Sequence, residues 1–379
     1  MAIIINILLL LAVISILTFV HELGHFLAAK AVKAKVIEFS IGFGPKLISR
    51  KGKETEFSLR ALPFGGYVKI LGDGDPTQEK ENRKDKGNLK NKSKWAQMFV
   101  MLAGVTMNIL LATTLYTIYL GNNGWKMIVS NTYEDFKPVG AVISKERYSD
   151  IPYELATEEG AFTAGMYEKG YIVNVNGVVI DNHLQLPKEL EKFKNQSVDI
   201  YACNESEVCE SFNVKVSEEG KIGVYTGSNY DVYIDYSNNK IFSGLSHSIN
   251  VVKITGRALS ELLSQAKETG DYSELSNTFS GPIGIYFIID YFKTLGVITF
   301  LGILADLSLS LAVINLLPIP ALDGGRFFIL FIESIFKKDL NERVESLIIN
   351  ISFGLLILFI VIVMIKDIVN IEQLKSLFE

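Results

Sequence analysis

Four long apolar segments constrain the fold of this chain more than any other feature. Each is long enough to cross the roughly 30 Å of hydrocarbon in a bilayer as a helix. They run from Ala2 to about Ala29, from Trp95 to Leu120, from about Leu295 to Leu317 and from Leu347 to Ile365. With 49% hydrophobic and 21% charged residues, the chain is too apolar for an ordinary soluble enzyme and too charged for a pure membrane bundle. We therefore expect a multi-pass helical protein of the lipid bilayer that carries a sizeable soluble part.

A His-Glu-x-x-His motif lies inside the first apolar segment, at His21, Glu22 and His25. Four residues is just over one helical turn, so the two imidazoles lie on one face and can bind one metal ion. Glu22, beside them, can take a proton from the hydrolytic water. Ionisable groups are costly in hydrocarbon, so three of them in one span indicate a functional site. The motif predicts a catalytic zinc site within the membrane.

The third zinc ligand is predicted to be an aspartate from a distant part of the chain. A catalytic zinc usually has three protein ligands and one open position, so the two histidines need a partner. The candidate is Asp323, which ends the string Asn315-Leu-Leu-Pro-Ile-Pro-Ala-Leu-Asp323 after the third apolar segment. Prolines cannot continue a helix, so this end of the span is expected to be extended and to line a cavity. The first and third spans run in the same direction, which brings all three ligands to a similar depth.

The charges of the loops predict the orientation of the spans. Residues 30 to 94 hold sixteen Lys or Arg against eight Asp or Glu, whereas residues 121 to 293 hold fifteen against twenty-four. Because cytoplasmic loops carry the excess of Lys and Arg, the first loop is expected in the cytoplasm, and the acidic region and both termini outside. The overall charge of −5 gives no basis for nucleic-acid binding.

The loops also contain signals of regular structure. Residues 56 to 70 alternate between apolar and polar positions around Gly65-Gly66, which predicts a β-hairpin with its turn at the two glycines. Such a hairpin cannot lie bare in lipid, and a simple hairpin on the cytoplasmic surface is the alternative. Residues 172 to 180 alternate like a strand pair around a glycine turn, and residues 184 to 193 have helical spacing. The acidic outer region is therefore expected to contain a small β-rich domain.

Three further features of the outer region leave their interpretation open. Residues 242 to 266 have the spacing of an amphipathic helix, which suits the outer membrane surface and an ordinary connector equally. Cys203 and Cys209, the only cysteines, fit a disulfide in an oxidising compartment and two free thiols alike. The other two histidines, His183 and His247, are expected to be exposed polar residues.

These motifs resemble the site-2 protease family of intramembrane zinc metalloproteases, and within it the bacterial regulator-of-sigma-E type with an extracytoplasmic PDZ domain. The string from Asn315 to Gly325 is far more specific than the His-Glu-x-x-His motif alone. Together the matching stretches touch both halves of the chain: His-Glu-Leu-Gly-His at 21–25, Ala-Leu-Pro-Phe-Gly-Gly-Tyr-Val-Lys at 61–69, Gly-Pro-Ile-Gly-Ile at 281–285 and the string at 315–325.

Two stretches match the family with a departure. Residues 160 to 177 resemble bacterial protease PDZ domains in their small-residue helix start, their Gly-x-Ile strand and their Asn-Gly turn, although Tyr171 replaces the more usual Asp. In the second span, family members carry Gly-Pro followed by an Asn. Here Gly104 is followed by Val105 and then by Asn108, so the proline is missing.

The resemblance implies a multi-pass α-helical membrane protein with four spans, a cytoplasmic-side β-hairpin and an extracytoplasmic PDZ-like α+β domain. It implies an intramembrane zinc metalloprotease of the bacterial cytoplasmic (inner) membrane, with Zn²⁺ as cofactor. Its implied substrates are single-span membrane proteins, such as pre-trimmed anti-sigma factors, or remnant signal peptides, and a peptide is the implied ligand of the PDZ domain. The resemblance also implies contacts of Asn315 and Asn108 with the substrate or the developing oxyanion.

A different class of function uses the same polar cluster. A zinc transporter, or a nonhydrolytic metal-dependent PDZ scaffold, would need the ligands but not a base beside an open metal position. Glu22 is the residue that separates these alternatives.

The expected organisation runs from the N-terminus to the C-terminus as follows: first span with the zinc-binding helix (1–31), cytoplasmic loop with a re-entrant hairpin (32–94), second span (95–120), linker (121–136), PDZ domain (137–225), amphipathic helix and connector (226–293), third span with its Pro-rich end (294–325), cytoplasmic loop (326–346), fourth span (347–366) and tail (367–379).

Overall fold

The computed structural model describes residues 2–73, 85–156 and 159–372, and these form two compact units. The helical unit contains the residues up to 124 and those from 240 onwards, and the sheet unit contains residues 125–239. Each unit has its own core of buried apolar side chains.

The helices and strands follow one another along the chain in this order: α1 (Ala2–Ala31), β1 (Val36–Lys51), β2 (Glu56–Ile70), α2 (Lys94–Asn122), β3 (Lys126–Val129), β4 (Val142–Arg147), β5 (Ile151–Leu155), β6 (Lys169–Val175), β7 (Val178–Val179), α3 (Gln185–Leu190), β8 (Ser197–Asn204), β9 (Cys209–Lys215), β10 (Val224–Thr226), β11 (Tyr230–Asp235), α4 (Ser243–Thr269), α5 (Ser273–Asn277), α6 (Pro282–Phe292), α7 (Val297–Leu316), α8 (Asp323–Phe336) and α9 (Glu342–Val369). Short 3-10 turns cover Leu89–Asn91, Asn131–Tyr133, Glu191–Phe193, Ser237–Asn239 and Lys293–Leu295.

Among the described residues, four helices are long and apolar enough to cross a membrane, which confirms the four predicted spans. They are α1, α2, α7 and α9. Helices α1 and α7 pack on α2 through a core that includes Leu17, Ala112, Leu304 and Leu309. Helix α9 leaves nearly all of its apolar side chains exposed. A long helix with this surface is suited to lipid rather than to water.

The predicted hairpin exists, but the prediction that Gly65-Gly66 forms its turn is wrong. Residues 56–70 form the single strand β2, which pairs with β1, and the turn lies where Gly52 N donates to Thr55 O at 2.9 Å. Gly66 instead allows two backbones to approach, because a Cβ at this position would lie 2.6 Å from Ser40 O. Gly65 has a φ of +94°, so it supplies an irregularity within the strand.

Each of the two strands bends back along its length, so β1 and β2 together form a small sheet of four strand segments with two edges. Ile41 lies opposite both Gly66 and Leu59, and Ser58 lies opposite both Ser40 and Ser49. Residues 38–41 are therefore paired on both sides. We call residues 66–70 the near edge of this sheet and residues 46–51 its far edge.

The end of the third span is not helical, as its prolines predict, but the expectation of an extended segment is wrong, because residues 317–322 form bends and a turn in which Leu322 N donates to Ile319 O at 2.8 Å. Helix α7 ends at Leu316, and no helix covers residues 317–322. The prediction of a loop over residues 326–346 is wrong for its first half, because α8 runs from Asp323 to Phe336. The helix forms here because Phe327 and Leu330 pack against buried residues of α1 and α2.

The sheet unit consists of two antiparallel sheets. The larger has the order β10-β5-β6-β8-β9 with β7 beside β6, and the smaller has the order β3-β11-β4. The predicted strand pair is confirmed, since β6 and β7 flank the Asn176-Gly177 turn, and α3 confirms the predicted helix. A disulfide joins Cys203 of β8 to Cys209 of β9, which decides the question that the spacing left open. The unit extends beyond the predicted 137–225 domain on both sides, because β11 pairs with β3 and β4.

Helix α4 confirms the predicted amphipathic helix, but its polar side, rather than its apolar side, packs against its neighbours. Leu245, Ile249 and Val252 are exposed, while the polar residues around His247 are buried against α2. The expectation of an exposed His247 is wrong, since the imidazole is 3% exposed and packs edge-on against Tyr116, with 4.6 Å between ring centroids. Burial lowers the pKa of His247 to about 4, so this histidine is neutral at physiological pH.

Candidate metal centre

Three predicted ligands from two distant parts of the chain meet in the helical unit. Asp323 Oδ2 lies 2.9 Å from His21 Nε2 and 3.1 Å from His25 Nε2. The two Nε2 atoms are 3.2 Å apart. Both histidines are buried at 8% exposure, and Asp323 is half-buried. The three side chains therefore offer three ligand atoms that converge on one point.

The position of each ligand follows from local structure. Helix α1 places His21 and His25 one turn apart, as the motif predicts. Asp323 is the first residue of α8, directly after the bent, non-helical residues 317–322. Gly324 and Gly325 let this turn close tightly, because a Cβ at Gly325 would lie 2.1 Å from Ile319 O and one at Gly324 would lie 2.3 Å from Leu316 O. A bulkier residue at either position would move the carboxylate away from the histidines.

Neighbouring groups on α2 set the orientation of both imidazoles. His25 Nδ1 lies 2.8 Å from Val100 O, and because a carbonyl only accepts, Nδ1 carries the proton and Nε2 presents its lone pair. The amide of Asn108 lies 3.2 Å from His21 Nδ1, and Asn108 is fully buried. The atom of this amide that faces His21 Nδ1 is Nδ2, and Asn108 Oδ1 has no hydrogen-bond partner among the described residues. Turning the amide by 180° would make Oδ1 the acceptor for His21 Nδ1–H, and His21 Nε2 would then present a lone pair toward Asp323 as His25 Nε2 does.

Glycines allow α1 and α2 to approach closely at the site. A Cβ at Gly24 would lie 2.3 Å from Ala103 O of α2. Gly104 of α2 lies against the imidazoles of His21 and His25. Sequence reasoning noted Gly104 only as the start of an incomplete motif and missed this contact. The only signal was a glycine four residues before Asn108 in a span, because small residues are typical of close helix contacts in membranes.

Glu22 is held by the backbone of the hairpin sheet. Its Oε2 accepts a hydrogen bond from Val68 N at 2.9 Å, so the near edge of the sheet lies beside the site. Glu22 is half-buried and follows His21 directly in α1. The sequence predicted a hairpin on this side of the membrane, but nothing in it specified which backbone group would contact Glu22.

The structure treats the two predicted asparagines differently. Asn108 is brought to the site, where it contacts a metal-ligand candidate rather than open space. Its backbone oxygen also accepts a hydrogen bond from Ser308 Oγ at 2.9 Å, which ties α2 to α7. Asn315 lies in the last turn of α7 and is half-buried, and its side chain makes no hydrogen bond to any residue that the structure describes.

The donor set fits zinc. Two imidazole nitrogens and one carboxylate oxygen are the ligands of many catalytic zinc sites, which keep the fourth position open. Metal–ligand bonds of about 2.0–2.2 Å at tetrahedral angles place ligand atoms roughly 3.3–3.6 Å apart. The distances of 2.9, 3.1 and 3.2 Å between the three donor atoms are slightly shorter, so bound zinc would need the ligands to move apart by a few tenths of an ångström.

Membrane-spanning helices that carry a buried two-histidine, one-carboxylate centre with an adjacent glutamate define a membrane metallohydrolase. The chain matches peptidase family M50 over residues 9–359 and belongs to that family. It is a zinc metalloendopeptidase of the site-2 protease type.

Named relatives cover almost the whole chain. A protein of Clostridium acetobutylicum named as a zinc metalloprotease is 30% identical, over 96% of this chain and 97% of its own length. The regulator of sigma-W protease RasP of Bacillus subtilis is 26% identical, over 93% of this chain and 95% of its own length. A protein of Nostoc named as a zinc metalloprotease is 29% identical, over 97% and 98%.

Proposed function

We propose that this chain is an intramembrane protease in which His21, His25 and Asp323 hold zinc and Glu22 is the catalytic base. Its substrates are the transmembrane segments of single-span membrane proteins or remnant signal peptides. The observation that carries the proposal is the convergence of Asp323 on His25, 298 positions away in the chain, at a site inside a membrane-spanning helix. Such a convergence of ionisable groups in hydrocarbon is costly unless it serves a function.

The residues around the metal divide the chemical work. When bound, zinc polarises the scissile carbonyl and makes water acidic enough to lose a proton near neutral pH. Glu22 accepts that proton and later donates it to the leaving nitrogen. Because Val68 N–H occupies Oε2 of Glu22, this carboxylate keeps one orientation and leaves its other oxygen for the proton. His21 lies nine residues before Lys30, or about 13 Å along the helix, so water must reach the site through a polar path.

The near edge of the hairpin sheet is suited to hold the substrate. A peptide bond in a helix hides its carbonyl, so the substrate must unwind near the cut. An unwound segment can add to the edge of a sheet as an extra strand, with its backbone groups paired. The near edge carries the N–H that binds Glu22, and a strand added there would lie beside the catalytic residues. Asn315 is half-buried and lies eight positions before Asp323 in the chain. We assign it to a contact with substrate backbone or the oxyanion.

Charge and topology support an orientation in the bacterial inner membrane. The excess of Lys and Arg in the loop after the first span supports an orientation with the hairpin and the active site toward the cytoplasm and the sheet unit outside. We assign residues 137–225 of the sheet unit to a PDZ domain of the regulator-of-sigma-E type. Its strand pair and helix agree with that assignment, and its ligand is then a peptide, bound at a sheet edge.

The name of the Bacillus subtilis relative, regulator of sigma-W protease, supports a role in regulated intramembrane proteolysis. For this chain we propose a substrate that has already been trimmed on its outer side, such as an anti-sigma factor.

The test is cleavage of a labelled single-span substrate by the purified full chain in lipid nanodiscs. We expect cleavage by the wild-type protein, loss of cleavage with a chelator and recovery on adding zinc. Glu22→Gln should retain one zinc per chain by elemental analysis while cleavage falls by several orders of magnitude. Cleavage at the wild-type rate by Glu22→Gln would contradict the assigned base and favour a transporter or scaffold.

A further inference from the structure

An apolar groove of about 440 Å³ lies between α1 and the hairpin sheet. Phe19, Leu23 and Phe26 form its helical wall, at positions roughly opposite His21 around the helix. Phe39 and Phe57 line the sheet side, with ring centroids of Phe26 and Phe39 5.4 Å apart. The groove is separate from the metal centre, because it occupies the other side of α1.

The groove lining reaches the far edge of the sheet. Ile48 and Arg50 belong to that edge, and Ile41, Ser58 and Leu59 of the inner strand segments also line the groove. Residues 38–41 and 56–59 lie between the far edge and Val68, which contacts Glu22. A substrate strand added to the near edge would therefore be separated from Ile48 and Arg50 by three strand segments.

Arg50 lines the groove, and Lys51 and Lys53 follow it closely in the chain. All three are exposed and form no ion pair with any residue in the described parts of the chain. The acids beside them are already used, since Glu54 pairs with Lys30 and Glu56 lies 2.8 Å from Lys46. Lys30 ends the first span, so these cations lie at the level of the membrane interface, where lipid phosphates are found.

We propose that this groove is a binding site for an anionic phospholipid. The acyl chain fills the space between α1 and the sheet, and the phosphate pairs with Arg50, with Lys51 and Lys53 adding positive charge nearby. An apolar cavity of this size next to unneutralised cations is complementary to a lipid with a negative headgroup and not to a polar peptide. Through this contact the lipid would hold the far edge of the sheet whose near edge positions Glu22.

The test uses quenching of a new fluorophore by brominated lipids. Ile48→Trp adds a tryptophan at the groove to a chain that has two, Trp95 and Trp125, and the unsubstituted protein gives their background. In nanodiscs, brominated phosphatidylglycerol should quench the added fluorescence at least twofold more than brominated phosphatidylcholine does. Adding Arg50→Gln should remove this difference. Adding Lys33→Gln, an exposed cation at the same end of α1 but outside the groove, should leave it intact.

Equal quenching by the two lipids overturns the proposal, as does a preference that survives Arg50→Gln or disappears with Lys33→Gln. Displacement of the brominated lipid by a single-span peptide would assign the groove to substrate instead. If Ile48→Trp does not fold, native mass spectrometry of the wild-type and Arg50→Gln proteins replaces it, and equal retention of phosphatidylglycerol refutes the site. None of these measurements needs cleavage, so the lipid site and the protease assignment can fail separately.

Discussion

Gly104 of the second span and His25 of the first are in contact so close that only a glycine can occupy the position. A Cβ added to Gly104 would lie 2.4 Å from His25 Nε2 and 2.7 Å from His21 Nε2, which are the two atoms that face Asp323. The space that the side chain of residue 104 would fill is therefore the space that the metal ligands use.

Gly104→Ala should disable the metal centre without unfolding the protein. The added methyl group must push both imidazoles aside, and a misplacement of about 1 Å at a catalytic site lowers the rate by roughly 100-fold. We expect zinc content well below one per chain and cleavage reduced at least about 100-fold. The measurement is elemental analysis together with the substrate assay. Gly354→Ala in α9 is the matched control, because nothing lies within 4 Å of a Cβ there, and it should behave as wild type.

Asn108→Leu should weaken zinc binding through His21 and not through the substrate. Removing the partner of a ligand imidazole typically costs 10–100-fold in metal affinity. Asn108→Asp keeps an acceptor for His21 Nδ1 and should restore affinity to near the wild-type value. A competition titration with a zinc chelator measures both variants. If Asn108→Leu raises KM but leaves zinc affinity unchanged, the residue contacts substrate and our assignment of its role is wrong.

Local periodicity was enough to predict most of the metal centre. The His-Glu-x-x-His spacing places His21 and His25 on one helical face whatever surrounds the helix. Two observations linked Asp323 to the histidines: the first and third spans run in the same direction, and prolines end the third span. These inferences depend on short-range geometry and on depth in the bilayer, and both can be read from a sequence.

The structural features that the sequence could not predict depend on which other element of the chain packs against a given residue. The spacing of Leu245 and Ile249 correctly predicted an amphipathic helix, but the polar side of this helix packs against α2, so His247 is buried and the apolar residues are exposed. The glycines at 65 and 66 fit a turn and a close strand contact equally until the partner strand β1 is known. Gly104 shows only the weak signal of a small residue in a span, because its role is to leave room for the imidazoles of His21 and His25.

The disulfide in the sheet unit should affect stability but not the metal centre. Cys203 and Cys209 are six positions apart, and closing so short a loop stabilises a fold by roughly 2 kcal/mol in the chain-entropy model. The double variant Cys203→Ser, Cys209→Ser should lower the unfolding free energy of residues 125–239 by about that amount. Hydrogen exchange in β8 and β9 measures the change in the full chain. Zinc content should stay at one per chain, and its loss would contradict the independence of the two features.

A buried carboxylate at the end of the fourth span should hold the helix that precedes the third. Asp367 is fully buried, and its Oδ2 accepts hydrogen bonds from Gly281 N at 2.9 Å and Gly284 N at 3.1 Å, at the start of α6. Both N–H groups lie in the first turn, where a helix has no internal acceptors for them and a negative charge is favourable. Asp367→Ala leaves them buried without a partner, so we expect a loss of roughly 2–4 kcal/mol in stability.

Thermal unfolding of the Asp367→Ala protein in detergent, followed by circular dichroism, measures this loss. Asp367→Asn keeps one acceptor oxygen and should recover part of it. Asp339→Asn is the control, since its side chain is 79% exposed and a surface ion pair contributes at most about 1 kcal/mol. An equal effect of the Asp367 and Asp339 variants would mean that the two glycine N–H groups are satisfied in another way. A selective effect at Asp367 would instead show that the fourth span and α6 are joined through one carboxylate, so that any movement of α9 must also move the segment leading into the third span.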